Sequence, residues 1–380
     1  MNVARALGLA AAGALAVLAI YAAFFTFYDP LQTPLAPLTL TRAPETPGQA
    51  TLLFAGDTAE AHDALPIVRE RGFLYPFGST LELVRAADVA VVNAEAPITD
   101  GGTRFPAYKD FYYRAPAASA AALAAAGFDV VTLANNHAYD YGPDGLVDTL
   151  ANVARAGRVP LGAGRDGSEA RRGVIVDIGG IRIGLLAYCD HDFLWNVWVD
   201  QFAHRHHPGV AAAFDRAVAE DIARLRRQAQ LVVVSFHMGE NYAPPTASTI
   251  AWSRRALDLG ADLVVNHHPH VAHPLMMWHK KPIVLSLGNY AFGTEARASL
   301  DYGLLALARA RRCEDGRAAF QSVEIVPLAV QNRRVNYRPE PLHDAELDAF
   351  LARLAHDSAP LGATLHIEAG RAVLPLGGCS

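Results

Sequence analysis

The feature that most constrains this chain is a recurrence: short apolar runs, each closing on a polar side chain able to bind a metal. Leu52–Ala55 closes on Gly56-Asp57, Val89–Val92 on Asn93-Ala94-Glu95, and Phe128–Leu133 on Ala134-Asn135-Asn136-His137. Leu231–Val234 closes on Ser235-Phe236-His237, and Leu263–Val265 leads into His267, His268 and His270. Apolar runs this short read as buried strands. Helical segments lie between them, as where Phe214, Val218, Ile222 and Leu225 fall on one face. Residues 174–178 and 181–187 read as a hairpin closed by Gly179-Gly180. The mixture predicts an α/β fold of packed layers with some antiparallel pairing. In open α/β sheets ligands gather beyond the carboxyl ends of the strands, so the polar closures belong at one place.

Those closures offer Asp57, Glu95, Asn136, His137, His237, His268 and His270. Carboxylate, amide oxygen and imidazole together suit divalent ions of the Mn, Fe or Zn kind. Two such ions, about 3.5 to 4 Å apart and sharing a carboxylate, clamp the attacking and leaving oxygens of a phosphoryl transfer. Glu95 and Asp57 are the acids available to bridge them. Taken singly, Asp57 is also a turn former, Glu95 a loop charge and His237 a structural histidine. The repetition from strand to strand is what favours a shared centre. Pro269 predicts an extended turn at His268, because the residue before proline is steered away from helix.

Composition narrows the alternatives. The 380 residues, 52% hydrophobic and 19% charged, suffice for a large core. A net charge of -5 leaves no basic footprint, which excludes nucleic acid as the expected partner. Cys189, Cys313 and Cys379 are too scattered for a zinc motif. They admit one disulfide with a leftover thiol and, equally, three free thiols; Cys379, near the terminus, is a candidate for pairing between chains. His204, His206 and His207, beside Pro208-Gly209, read as a solvated loop in preference to a metal site. Cys189-Asp190-His191-Asp192 reads as a cleft wall.

The amino-terminal region has a different character. Residues 6–28 carry no charge, and about 20 apolar residues span a hydrocarbon core. The stretch exceeds the apolar core of a cleaved signal peptide, so residues 1–28 are expected to be an uncleaved transmembrane anchor. Arg5 before it and Asp29 after it place the remainder outside the membrane. Pro30, Pro34, Pro37, Pro44 and Pro47 make 29–50 a semi-rigid extended linker. The main domain is expected over 51–340. Residues 341–380 form an extension, with a helix around Ala345–Leu354 and strands at Thr364–Ile367 and Ala372–Leu376 packing on the sandwich edge.

In their order along the chain, the motifs carry a resemblance. Gly56-Asp57, Asn93-Ala94-Glu95-Ala96-Pro97, Asn135-Asn136-His137 with Asp140 and Gly142, His237-Met238-Gly239-Glu240, His267-His268-Pro269-His270-Val271 and Ser286-Leu287-Gly288-Asn289 resemble the CapA family. These are capsule or poly-γ-glutamate synthesis proteins related to calcineurin-like metallophosphoesterases, and the similarity covers roughly residues 50–330. The resemblance implies a four-layer α-β-β-α metallophosphoesterase-like sandwich. It implies metal ligands at Asp57, Glu95, Asn136, His237, His268 and His270, one or two divalent ions, and His137 as the acid that protonates a leaving oxygen. The superfamily's Asp-x-His is here Asp57-Thr58-Ala59, one imidazole short, and Asn266 stands where a glycine is usual. The implied function is a protein of the bacterial cell membrane, its globular part extracytoplasmic. It would act with other capsule-synthesis proteins in the synthesis or export of an anionic capsule polymer, through a metal-binding hydrolase-type site. The alternatives are a metal-dependent phosphoesterase on another substrate and a non-catalytic polymer-binding accessory protein.

Overall fold

Strand Leu231–His237 is apolar on both faces, and that dictates the layering around it. Leu231 and Val233 join a core that also holds Leu52, Leu53, Val92 and Leu307. Val232, Val234 and Phe236 join a second core with Val218, Ile222 and Leu225 of helix Asp215–Arg226 and Ala256 and Leu257 of helix Ala247–Asp258. Successive side chains of a strand point to opposite faces, so this one needs a second sheet on one side and helices on the other.

The fold is that of a computed structural model, which describes residues 31–106, 109, 111–190, 200–293 and 302–379. Among the described residues two main sheets stack as a mixed α/β sandwich. The seven-stranded sheet runs, edge to edge, Leu38–Arg42, Val174–Ile178, Ile181–Cys189, Leu231–His237, Leu263–His267, Lys281–Val284 and Leu275–Trp278. Its centre is parallel, with Ser235 opposite Ala187 on one side and Val265 on the other. The hairpin at Gly179-Gly180 is present, pairing Ile178 with Ile181.

The ten-stranded sheet carries the parallel strands Gln49–Ala59, Val89–Ala94, Val130–Thr132 and Val159–Leu161 side by side. The long antiparallel strands Tyr302–Arg312 and Ala318–Ala329 continue it on the far side of Gln49–Ala59. Helix Gly142–Arg155 packs against Val159–Leu161. The carboxyl ends of Gln49–Ala59, Val89–Ala94 and Val130–Thr132 therefore lie together, as do those of Leu231–His237 and Leu263–His267.

One sequence expectation changes here. Part of the proline-rich 29–50 stretch is no spacer: Leu38–Arg42 pairs in parallel with Val174–Ile178 as an edge strand of the seven-stranded sheet. Its alternating Leu-Thr-Leu-Thr-Arg places Leu38 and Leu40 against the core. Of the arrangements left open for the cysteines, the chain has one disulfide with a leftover thiol: Cys313 is bonded to Cys379, and Cys189 is a buried free thiol. At the carboxyl end, helix Asp344–Ser358 precedes strands His366–Glu368 and Arg371–Pro375, which extend the edge of the ten-stranded sheet. The expected anchor, residues 1–28, and His191-Asp192 lie outside the described residues. No described helix is long and apolar enough to cross a membrane.

Candidate metal centre

The two sheets divide the donors between them. The ten-stranded sheet supplies Asp57, Glu95 and Asn136 from the ends of its parallel strands, and the seven-stranded sheet supplies His237, His267, His268 and His270. All are buried. The Gly56-Asp57 step is a packing requirement, since a Cβ at Gly56 would sit 2.1 Å from the Gly288 carbonyl oxygen. That close approach lets the Asp57 amide donate to the same carbonyl at 3.0 Å, where strand Asn289–Phe292 pairs in parallel with Gln49–Ala59 in the ten-stranded sheet.

Around Asp57, the Asn93 amide donates to Oδ1 at 2.8 Å and the His268 backbone amide to Oδ2 at 3.2 Å. His267 Nδ1 lies 3.3 Å from Oδ1 and His270 Nδ1 3.5 Å from Oδ2. An imidazole thus reaches the carboxylate that lacks its Asp-x-His partner, by a different route. His270 Nδ1 also lies 2.9 Å from Asn289 Oδ1. Glu95 follows strand Val89–Ala94, its amide donating to Thr58 O at 2.9 Å. Its Oε1 is 3.4 Å from His237 Nε2 and 3.6 Å from His270 Nε2. His237 Nε2 lies 2.8 Å from Asn136 Oδ1 and 3.2 Å from His268 Nδ1.

The turn that presents His268 and His270 differs from the expected extended form. Both residues have positive φ, 98° and 59°. Left-handed backbone at a non-glycine residue costs on the order of 1–3 kcal/mol and persists where surroundings enforce it. Here the enforcement is visible: the His268 amide is held by Asp57 and the His270 ring by Asn289.

Electrostatically the pocket is built for a cation. Both Glu95 oxygens are buried without a hydrogen-bond donor among the described residues. Burial first, and then the neighbouring Asp57 charge, push the Glu95 carboxyl well above its usual range. Burial works against Asp57 as well, but the hydrogen bond and charge of His267 outweigh it and hold that group low. Burial lowers His237, His268 (to about 3) and His270, so their rings are neutral lone-pair donors. Two donor groups, each with atoms within 4.8 Å of one another, are Asp57, Glu95, His270 and Glu95, His237, His268. They have Glu95 in common. Mixed nitrogen and oxygen donors of this kind fit a borderline divalent ion, and a cation is what the uncompensated Glu95 carboxylate lacks.

His137 stands beside this set without joining either group. Its Nδ1 is 2.7 Å from Asp140 Oδ2, and its ring packs on Tyr113 at 4.2 Å between centroids. Burial lowers it to about 4. Lys109 binds Asp140, and its Nζ also lies 3.0 Å from the Asn136 carbonyl. Asn135 holds the loop from behind, donating to Ala94 O at 2.8 Å.

Asp57, Glu95, Asn136, His137, His237, His268 and His270 are therefore brought together. Asn93 and His267 stand in the motifs read from the sequence but were not among the ligands expected there, and Lys109 comes from a stretch with no periodic pattern. The Asn135-Asn136-His137 motif carried Asp140 with it, three residues after His137.

A mixed α/β sandwich with a buried carboxylate and imidazole centre at its strand ends is the class of protein that fold and site define. Residues 51–294 match the family model described as bacterial capsule synthesis protein PGA_cap, and the chain belongs to that family. It is 35% identical over 228 residues to a probable polyglutamine synthesis accessory protein of Mycobacterium tuberculosis, covering 57% of this chain and 59% of that one. It is 31% identical over 242 residues to the PGA biosynthesis protein CapA of Bacillus subtilis, covering 63% and 62%. With the capsule biosynthesis protein CapA of Bacillus anthracis the identity is 28% over 288 residues, covering 74% and 67%. The match thus spans about three fifths of the length of the first two of these relatives.

Proposed function

We propose that the chain is anchored in the bacterial cell membrane by residues 1–28, with its globular part outside. There it acts, with other capsule-synthesis proteins, in the synthesis or export of an anionic capsule polymer such as poly-γ-glutamate. The names of the relatives support the capsule role. We further propose that the buried centre is a metallophosphoesterase-type hydrolytic site.

The observation that carries the second proposal is the sharing of Glu95 by two donor groups while both its oxygens lack a hydrogen-bond donor among the described residues. In this reading Asp57, Glu95 and His270 hold one position, and Glu95, His237 and His268 the other, with Asn136 Oδ1 beside His237. A bound Mn, Fe or Zn ion supplies stabilisation of negative charge developing on oxygen. Asn93 and the His268 amide orient Asp57, and Asn289 orients His270. His137, its Nδ1–H turned onto Asp140, would take a proton at Nε2 from the attacking water and pass it to the leaving oxygen.

Elemental analysis of the purified chain, with His268→Ala as control, tests the centre: bound Mn, Fe or Zn that the variant loses is the expected result. A metal-free unmodified chain, after growth with those metals supplied, would sink it. Hydrolysis of an ester panel by the metal-loaded chain, abolished in Asn136→Ala, tests catalysis. Restoration of capsule in a deletion strain by His268→Ala would instead assign the chain a non-catalytic, polymer-binding part.

A further inference from the structure

A cationic and aromatic surface lies beside the buried centre, on a segment that supplies none of its donors. The chain between Glu95 and helix Ala118–Ala126 folds back on itself. The Tyr112 hydroxyl closes that fold, accepting from the Lys109 amide at 2.8 Å and donating to the Pro106 carbonyl. Arg104 and Arg114, from its two limbs, thereby meet at one side chain, Tyr141. The Arg114 guanidinium lies 4.4 Å over the Tyr141 ring centroid. The Arg104 guanidinium donates to the Tyr141 hydroxyl and lies 5.2 Å over the Tyr112 ring. Tyr141 is buried, and both arginines are exposed.

Neither arginine has a carboxylate within ion-pairing distance among the described residues. Lys109, in the same segment, is bound to Asp140, and Asp100 accepts from the Ala117 amide at 3.2 Å. The arginines that tie this fold together do carry such partners, Arg171 with Asp221 and Arg309 with Glu324. Two guanidinium groups drawn to one phenol repel each other. Ring contacts hold them there and leave their N–H forks for an outside acceptor. Exposed aromatic rings accompany them on the segment, Phe105 at 39% and Phe111 at 57%. Arginine with aromatic side chains is the composition of a recognition surface. The surface also adjoins the centre. The Phe105 amide donates to the Asp140 carbonyl at 2.9 Å, its ring meets Tyr139 at 5.6 Å between centroids, and Tyr113, next to Arg114, packs on His137.

We propose that Arg104 and Arg114 grip the carboxylates of a linear polycarboxylate, a proposal that rests on the capsule role, and hold it along the His137 side of the centre. A carboxylate takes two parallel N–H bonds from one guanidinium, so each arginine gives geometry as well as charge. The chain as a whole is negative, at -5, and its long-range field disfavours a polyanion. The hold therefore has to be local. The exposed rings of Phe105 and Phe111 offer apolar faces to the methylene groups between carboxylates.

Fluorescence anisotropy of end-labelled poly-γ-glutamate titrated with the full chain, at one fixed salt concentration, tests the surface. Arg104→Gln/Arg114→Gln is expected to bind at least about tenfold more weakly. Arg104→Lys/Arg114→Lys should recover only part of the affinity, because an ammonium keeps the charge and loses the fork. Unchanged metal content in both variants checks that the fold is intact. Equal affinity of the glutamine variant and the unmodified chain, no binding by either, or inorganic polyphosphate held as tightly by the same two arginines would overturn the proposal. The capsule role is judged separately, in a deletion strain. A strain that keeps its capsule overturns that role and this proposal with it, whereas capsule restored by Arg104→Gln/Arg114→Gln overturns the surface alone.

Discussion

His137 Nδ1 and Asp140 Oδ2 are 2.7 Å apart, in a loop closed by the backbone bond from the Asp140 amide to the His137 carbonyl. The carboxylate only accepts, so Nδ1 carries the hydrogen and Nε2 is the nitrogen left to exchange a proton. The Tyr113 amide donates to the same Asp140 oxygen at 2.7 Å, and Lys109 binds the other. Asp140 is therefore a positioning residue for His137. Asp140→Asn is expected to lower hydrolysis about 100-fold or more, since mis-set general acid–base groups lose factors of this order. The loss should fall on kcat, with metal content unchanged. A variant with full kcat would remove His137 from the proton-transfer role.

Glu95 ties stability to metal with a definite sign. Its carboxyl is raised by burial and by Asp57, so without a cation the folded state resists ionising a group that the unfolded chain ionises freely. That resistance costs stability as pH rises above the unfolded value. In metal-free protein at pH 7, Glu95→Gln should be more stable than the unmodified chain, by about 1–3 kcal/mol. Addition of Zn2+ or Mn2+ should reverse the order, because the unmodified chain gains a ligand the variant binds poorly. Thermal melts with and without metal read both halves. Identical ordering in the two conditions would count against Glu95 as a shared ligand.

The strand ends were legible because two periodicities coincided there: apolar runs of strand length and a polar closure after each. What the sequence did not carry was the division of labour between sheets. Nothing local tells that Asp57 and Glu95 belong to one layer and His237 and His268 to the other, since that depends on pairings such as Gln49–Ala59 with Tyr302–Arg312, far apart in the chain. The edge strand Leu38–Arg42 did carry a period-two signal in Leu38 and Leu40, obscured by the prolines around it. Lys109 sits in an unpatterned stretch, and its reach to Asp140 is set by tertiary packing alone. The positive φ at His268 runs against the rule for a residue before proline; the Asp57 carboxylate that receives its amide is remote in sequence.

Glu60 offers a pH test away from the donor groups. It is buried among Thr58, Ala94, Ile98, Ser119 and Leu123, and burial pushes its carboxyl up to about 8 from an ordinary 4.5. The folded chain keeps a proton that the unfolded chain releases, so the contribution is intact below pH 4.5 and is lost progressively as pH rises toward 8. Glu60→Gln keeps the shape without the titration. It should flatten the stability profile over that window and be more stable at pH 8 by roughly 2–4 kcal/mol. Urea unfolding at pH 5, 6.5 and 8 measures this, and parallel profiles for the two proteins would show that Glu60 ionises without penalty.

The Cys313–Cys379 bond joins the end of strand Tyr302–Arg312 to the residues beyond strand Arg371–Pro375, across a sequence separation of 66. Between them lies the carboxyl-terminal helix Asp344–Ser358, whose Phe350, Leu351 and Leu354 are already buried in the shared core. The bond therefore acts chiefly on the outermost hairpin, His366–Glu368 with Arg371–Pro375, whose first strand is exposed throughout. Closing a loop of this length limits the unfolded chain, an effect of about 2–4 kcal/mol. Cys379→Ser should lower stability by that amount and open the 366–379 segment to proteolysis and hydrogen exchange, while zinc content stays the same. Loss of metal together with loss of the bond would mean that the edge hairpin and the centre unfold as one unit.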